Sequence, residues 1–346
     1  MTHEPLPALG KIHPAFFDRV IYPQLGAEDK RIVIGPRHGV DYGVLKVGDQ
    51  YLAMSTDPFF IVPQLGFERA AWFAFHIIMS DVAVSGLTPK FLTIDLNLPP
   101  EMKESEIEEM WGSVHREAEK YNISIITGHT ARYAGCNYPM VGGATGIAIG
   151  SYQELCGPQL VKKGDKVIVT KGGAVETTGL LAALFPHKFI EAGGEKFQQA
   201  ALGVFPQMSV MDDCAIARQI PGIHAMHDAT ECGIWGGLYE MARAGKYGLV
   251  INEDQIPLQP VIAKTAELFD FDPLAAISEG TLIAIVDHNS ADKLVAAFEQ
   301  AGILSAIIGE VVSPEVGVLI EDGRKSRKLE HPTVDPYWQL VERFTK

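Results

Sequence analysis

The chain has 346 residues, 47% of them hydrophobic and 21% charged, with a formal net charge of −14. That is the composition of a globular chain too long for one ordinary core, so two domains are expected. The acidity argues against a nucleic-acid binder, whose affinity rests on basic patches. It leaves nucleotides open, because Mg²⁺ and backbone N–H groups hold phosphates without a basic surface. No apolar run reaches the length needed to span a bilayer. The opening MTHEPLPALGKIHPAFF lacks the layout of a signal peptide, so a cytoplasmic location without membrane contact is expected. Cys136, Cys156, Cys214 and Cys232 are scattered with no CxxC pair, which points to neither a disulfide framework nor a four-thiolate zinc site.

In chain order, residues 31–62 read as strands broken by turns: RIVIG, YGVLKV and, after a GDQ turn, YLAMST. FERAAWFAFHIIMSDVAVS (67–85) reads as a buried helix ended by Gly86, and FLTIDLNL (91–98) as a strand. EMKESEIEEMWGSVHREAEKY is an amphipathic helix with Ile107, Met110, Trp111 and Val114 on one face. SIITG (124–128) and VGGATGIAIG (141–150) close the first half as strands. From about residue 160, LVKKGDKVIVTKGGAVETTGLLAAL reads as strand, glycine turn and helix, and GIHAMHD as a short strand. TECGIWGGLYEMARAG follows as a helix, with Thr230 as N-cap and Gly245 as the residue just past its end. GLVINE, TLIAIVD, SAIIGEVV and VGVLIED are further strands, SADKLVAAFEQAG is a helix, and YWQLVERFTK a short terminal helix. Helices and strands alternate throughout, so the class is mixed α and β (α+β). The division expected is residues 1–155 and 156–346.

Three acids stand beside apolar segments. Asp57 ends YLAMSTDP, Asp81 sits inside an apolar helix where an unpaired carboxylate is costly, and Asp41 lies in the loop GPRHGVDYG. Together they could hold Mg²⁺ by one or two carboxylates each, with phosphate and water completing an octahedron. Each has a plainer reading: Asp57 as a cap before Pro58, Asp81 paired with an Arg or with backbone N–H groups, Asp41 as a turn residue. The nearby TGHT loop (127–130) favours a shared site. HAMHDATECG (224–233) packs two His, an Asp, a Glu and a Cys into ten residues. On a helix His227 and Glu231 would share a face. The apolar start at Ile223 reads as a strand instead, which turns His224 and His227 to opposite faces. Zinc spacing is missing, so a zinc hydrolase is the minority reading. Trp72, Phe73 and Phe75 are read as helix core or interface, and His76 as a satisfied core histidine.

STDP (55–58), SDVAVSGLTPKFL (80–92), ITGHT (126–130) and GDKVIVTKGGAVETTGLLA (164–182) together resemble the superfamily of aminoimidazole ribonucleotide (AIR) synthetase, thiamine-monophosphate kinase, selenophosphate synthetase and the hydrogenase maturation factor HypE. Over 224–286 the chain is most similar to the HypE group, through Asp228-Ala-Thr-Glu-Cys-Gly233, LYEMARAG, INEDQIPL and FDPLAAISEG. The resemblance covers nearly the whole chain. It implies a two-domain PurM-like fold whose N-terminal domains form a homodimer and bind ATP with Mg²⁺, and a phosphoryl transfer to, or activation of, an oxygen of a small substrate. Carried over, Asp57 and Asp81 are metal ligands and Asp41 a further ligand or nucleotide-loop residue. His129 and Thr130 line the phosphate end, while Asp228 and Glu279 face the substrate cleft, giving Asp228, Glu279 and His129 as catalytic candidates.

This sequence departs from the HypE pattern. No cysteine follows Cys232, which sets aside the carbamoyl-carrying tail and with it the HypE reaction. Glu231 and Cys232 replace the Arg-Gly of D-P-T-R-G-G, which reverses the local charge. His129 stands where thiamine-monophosphate kinase and HypE have Asp, and Val40 replaces the first acid of G-D-D-A-A. Two readings stay open: an ATP-dependent enzyme of unassigned substrate, and a catalytically idle nucleotide- or partner-binding scaffold in metal-centre maturation.

Overall fold

A computed structural model describes residue 12 and residues 14–330, 332 and 334–345. A short helix α1 (Pro14–Phe16) precedes strands β1 (Ile32–Ile34), β2 (Gly43–Val47) and β3 (Gln50–Phe60). Helix α2 (Phe67–Ala83), strand β4 (Thr88–Leu98), helix α3 (Glu104–Lys120), and strands β5 (Ser124–Arg132) and β6 (Met140–Gly150) complete the first half. The six strands form one sheet in the order β1-β2-β3-β6-β4-β5.

Alternation along these strands sets the two faces of that sheet. Ala53, Ser55 and Phe59 of β3, Leu92, Ile94 and Leu96 of β4, and Ala144 and Ala148 of β6 are buried on one face. Helix α2 covers that face. It carries apolar residues all round, and Ala70, Ala74, Phe75, Ile78 and Met79 are fully buried, as a helix packed on both sides requires. Helix α3 lies outside α2, its start fixed by the Lys103 N–H donating to Glu106 at 2.8 Å. Met110 and Val114 of α3 are buried as expected. Trp111 is 39% exposed, because it sits on the rim of the apolar stripe and a large ring there stays partly in water.

The second half opens with β7 (Lys166–Thr170), α4 (Val175–Leu184), α5 (Pro186–Leu202), α6 (Met211–Ala217), β8 (Ile223–Asp228), α7 (Gly233–Gly245) and β9 (Gly248–Asn252). It continues with α8 (Pro260–Phe269), β10 (Leu282–Val286), α9 (Ala291–Gln300), β11 (Ser305–Val312), β12 (Val318–Glu321), β13 (Ser326–Lys328) and α10 (Pro336–Thr345). Its seven strands order as β13-β12-β9-β11-β7-β10-β8. Every residue of β10 is buried, so both faces are covered. Leu282, Ala284 and Val286 join a core continuous with that of the first half, while Ile283 and Ile285 face Ile234, Trp235 and Leu238 of α7.

Two expected helix ends move. Helix α7 starts at Gly233, and it is Cys232, in the left-handed region at φ 63°, that precedes it rather than Thr230. The Asp335 carboxylate accepts from the Cys232 N–H at 2.6 Å and supplies the cap from the far end of the chain. Gly245 is the last helical residue, and Lys246 takes the left-handed turn at φ 55°. Helices α5, α6 and α8 and strand β13 have no counterpart in the sequence reading. Among the described residues, no helix is long and apolar enough to cross a membrane.

Candidate functional site

The first half brings three acids toward the second. Asp57 lies within β3 rather than at its end, on the face covered by α2 and two residues from Ser55. The Ser55 hydroxyl donates to the Asp81 carboxylate of α2 at 2.9 Å, so Asp81 is met by a neutral partner rather than an Arg. Asp41 comes from the loop between β1 and β2. Gly39, at φ +75°, lets that loop lie against α7; a Cβ there would come within 2.3 Å of the Glu240 carbonyl oxygen. Tyr42 anchors the other side of the loop by donating to the Cys156 carbonyl at 2.9 Å.

The second half answers with β8. Because Asp228 stands opposite Leu282 it faces the first half, and His227, opposite Ile283, faces α7. His227 Nδ1 lies 2.6 Å from Asp41 Oδ2, and its Nε2 lies 3.7 Å from Glu240 Oε2. Asp228 is fully buried, and neither of its carboxylate oxygens has a hydrogen-bond partner at good geometry. Glu279 is also buried, with Oε1 in the same condition. Its loop is clamped: Glu279 N–H donates to Glu176 at 3.0 Å, Val175 N–H to Ser278 Oγ at 3.0 Å, and Lys171 Nζ to the Gly280 carbonyl at 2.7 Å. Gly280, at φ +97°, packs so closely on Gln207 that a Cβ would lie 2.1 Å from its carbonyl oxygen.

These acids feel one another. Burial holds Asp81 well above the usual carboxylate range, and the charges of Asp228, Asp57 and Asp41 raise it further. Burial and then Asp41 push Asp228 up to about 6. Glu279 rises well above its ordinary value through burial and Asp228, and Glu176 is pushed up to about 8, mainly by burial. Burial pulls His227 down, but the charge and hydrogen bond of Asp41, helped by Glu240 and Asp228, outweigh it and lift His227 to about 9. Crowding of this kind disfavours the ionised forms unless a cation joins them. Oxygen donors in excess, several without hydrogen-bond donors, fit a hard divalent cation.

The other candidates fall elsewhere. His129 and Thr130 are exposed on β5, an edge strand, and His129 Nε2 meets the Tyr133 hydroxyl at 2.8 Å. In register, Asp57 faces Ala144, then Ile94, then Gly128, so three strand spacings of roughly 4.8 Å each separate the TGHT segment from Asp57. Within one chain His129 and Thr130 do not join the acid cluster. His224 points away from His227 and pairs with Asp165 at 2.6 Å, the two-faced arrangement that the strand reading of HAMHDATECG requires. His76 is a satisfied core histidine, held between Ser209 Oγ at 2.7 Å and Glu117 Oε2 at 3.0 Å. Sequence reasoning passed over Glu176 and the His227–Glu240 pair. The His227–Asp41 contact joins residues 186 positions apart, for which a single sequence carries no local signal.

Two α/β halves that join a shared core and pool buried acids at their seam define a two-domain α/β protein. The chain belongs to the AIR synthase related proteins: residues 39–148 match the family's N-terminal domain and 162–321 its C-terminal domain. It is 24% identical over 331 residues to a putative hydrogenase expression/formation protein of Methanocaldococcus jannaschii, covering 94% of this chain and 96% of that one. It is 28% identical over 294 residues to the carbamoyl dehydratase HypE of Escherichia coli, covering 84% of each. Among solved structures, that of a HypE–HypF complex superposes with a TM-score of 0.71 at 18% identity, over 92% of this chain and all of that one. HypE in complex with ATP gives 0.68 at 21% identity, over 93% of each. The chain is a HypE-related member of this superfamily.

Proposed function

We propose that the chain is an ATP- and Mg²⁺-dependent enzyme that activates or phosphorylates an oxygen of a small substrate. The observation that carries this reading is the convergence of Asp41, Asp57 and Asp81 on Asp228 and Glu279, acids that disfavour one another's ionised forms in the buried seam. In this reading residues 1–155 bind nucleotide and 156–346 bring the substrate. Asp41, Asp57 and Asp81 hold the cation, which supplies charge neutralisation for phosphate oxygens. Asp228, with its pKa raised to about 6 by burial and Asp41 and drawn back by a hydrogen bond with Glu279, moves a proton at the substrate oxygen near neutral pH. The HypE structure solved with ATP supports the nucleotide.

The face of the first sheet opposite α2 supports a homodimer through the N-terminal halves. Leu52, Met54, Phe91, Ile147 and Ile149 are only partly buried there, and His129 stands on the same side, where a second chain would cover it. The HypE–HypF complex supports a maturation protein as a further partner.

A second reading, a nucleotide- or partner-binding scaffold without turnover, draws on Cys232. Its N–H is held by Asp335 and its Sγ lies 3.5 Å from the Pro332 carbonyl, so the C-terminal segment closes over the position where HypE relatives keep Arg-Gly. Calorimetry of the full chain with ATP and Mg²⁺ tests the first reading. Binding is expected, and Asp57→Asn is expected to weaken it at least about tenfold, or 1.4 kcal/mol. No binding at millimolar nucleotide overturns it, and ATP turnover above background with candidate substrates rejects the scaffold.

A further inference from the structure

We propose that the groove between the start of α2, one face of α3 and Phe205-Pro206 is a binding site for a free α-amino acid with an apolar side chain. Its carboxylate pairs with Arg69, its ammonium with Glu109, and its side chain lies on Trp72 and Phe205. The groove measures about 460 Å³, the size of a small-molecule pocket. It draws on both halves, since α2 and α3 belong to the first and Phe205-Pro206 to the second. None of the seam acids lines it, so this inference does not rest on the nucleotide reading.

Helical spacing builds the walls. Glu68, Arg69 and Trp72 lie on the first turns of α2, and Glu109, Ser113 and Arg116 recur on one face of α3. The floor is apolar and fixed. Leu65 and Phe205 are buried in it, and the half-buried Trp72 ring lies 5.7 Å from that of Phe205. On its other side Trp72 lies 4.2 Å from the His76 ring, tilted by 35°. His76 is itself held by Ser209 at 2.7 Å and Glu117 at 3.0 Å, so the indole is in place before a ligand arrives.

The charges on the walls decide the class of ligand. Glu68 pairs with Arg116, and Glu117 with His76. Arg69 and Glu109 take part in no ion pair among the described residues, with each other or with a third group. The Arg69 guanidinium lies over the Phe205 ring, 5.4 Å from its centroid, and a planar fork held beside an apolar floor suits a carboxylate. Glu109 Oε1 accepts from the Glu68 N–H at 3.2 Å, which leaves Oε2 for an ammonium. Two arginines stand against three glutamates around the groove, which disfavours a phosphate dianion, whereas a zwitterion adds no net charge. The end of a peptide carries only one of the two charges. A free amino acid carries both on one carbon, beside a side chain that the floor can cover.

The test uses the full chain without nucleotide, titrated calorimetrically with L-phenylalanine, N-acetyl-L-phenylalanine and L-phenylalaninamide. The second probe lacks the ammonium and the third the carboxylate, so they also stand for the two ends of a peptide. L-phenylalanine is expected to bind at least about tenfold more tightly than either, because a site built to bond a polar group rejects the analogue lacking it. Arg69→Gln and Glu109→Gln are each expected to weaken L-phenylalanine at least about fivefold. Arg69→Gln should act less on the amide, and Glu109→Gln less on the N-acetyl compound, which have already lost the group concerned. No L-phenylalanine binding at about 10 mM, or binding indifferent to both variants, overturns the proposal. Equal binding of either analogue also overturns it, and makes the groove a dock for a peptide end. Should Arg69→Gln fail to fold by urea unfolding, Glu109→Gln and the analogue series decide, since Glu109 is exposed.

Discussion

Two of the buried polar clusters among the described residues are built differently. Around Lys171 every polar atom is met. Its ammonium donates to Asp213, to the Ser209 carbonyl and to the Gly280 carbonyl, each at 2.7–2.8 Å, and Thr170 Oγ donates to the other Asp213 oxygen at 2.7 Å. At the seam between the halves, Asp228 and Glu279 have each other beside them, and neither Asp228 oxygen nor Glu279 Oε1 has a hydrogen-bond partner at good geometry. The two lie close together in the fold, since Lys171 holds the carbonyl of Gly280, the residue after Glu279. A buried network with every member satisfied rigidifies its surroundings. A neighbouring cluster left unsatisfied waits for something the chain itself does not supply. The first makes the second possible: Lys171 fixes the loop against which the seam acids are crowded.

The largest expected effect comes from breaking the satisfied network. Lys171→Met leaves the Asp213 carboxylate buried with only Thr170 beside it, and a broken buried pair costs about 3–5 kcal/mol. Urea unfolding of the full chain at neutral pH measures this. A loss below about 1 kcal/mol would mean that Lys171 is as dispensable as a surface ion pair, and the contrast between the two clusters would fail.

The seam is expected to respond to pH. The Asp228 pKa rises from 3.8 to about 6 in the folded state. Between those values the native chain holds more protons than the unfolded one, so stability falls as pH rises through that window, and the penalty is complete above it. Glu176, raised to about 8, extends the decline. His227, raised to about 9, contributes stability that is fully present below 6.5 and lost as pH rises through 9. All three act in one direction, so the seam's contribution to the stability of the chelator-treated chain should fall from pH 4 to 9. Asp228→Asn should flatten the pH 4–6 part by about 2–3 kcal/mol, at about 1.4 kcal/mol per pKa unit. A urea midpoint that rises across pH 4–6, or an unchanged slope in Asp228→Asn, would show that the seam carries no such strain.

The seam was half legible in the sequence for the same reason. Asp57, Asp81 and Asp228 stand beside apolar runs, and a carboxylate there is costly enough to attract notice. Strands such as LIAIV and helices such as FERAAWFAFHIIM stand out as apolar runs of strand and helix length. What sequence could not carry was pairing at a distance. His227 reads locally as one of several metal-ligand types in HAMHDATECG, and only the fold sets it against Asp41. Lys171 sits in a glycine turn that looks like loop chemistry, yet its side chain is 9% exposed and entirely structural. The Pro186–Ala217 stretch went unassigned because Gly193 and Gly194 interrupt its period, and Gly194 does turn the chain, at φ 76°. The Thr230 cap failed because the capping oxygen comes from Asp335, 103 residues beyond Cys232.

Asp335 offers the smallest and most discriminating test. It is a buried carboxylate whose hydrogen bonds come from backbone N–H groups and not from a cation, so by charge alone it belongs with the seam. By satisfaction it belongs with Lys171, since Oδ2 accepts from the Cys232 N–H at 2.6 Å and Oδ1 from the Tyr337 N–H at 2.8 Å. Burial raises its pKa, and those backbone donors pull it back. If satisfaction by donors is what separates a structural acid from a waiting one, Asp335→Ala should cost about 1 kcal/mol, as a lost helix cap does. Asp335→Asn should cost less, because one acceptor oxygen remains. Urea unfolding, with hydrogen exchange at the Cys232 amide, reads both. A gain in stability on Asp335→Ala would mean that desolvation outweighs two good hydrogen bonds. The unmet oxygens of Asp228 would then no longer distinguish the seam, and charge count alone would have to explain why cations are drawn there.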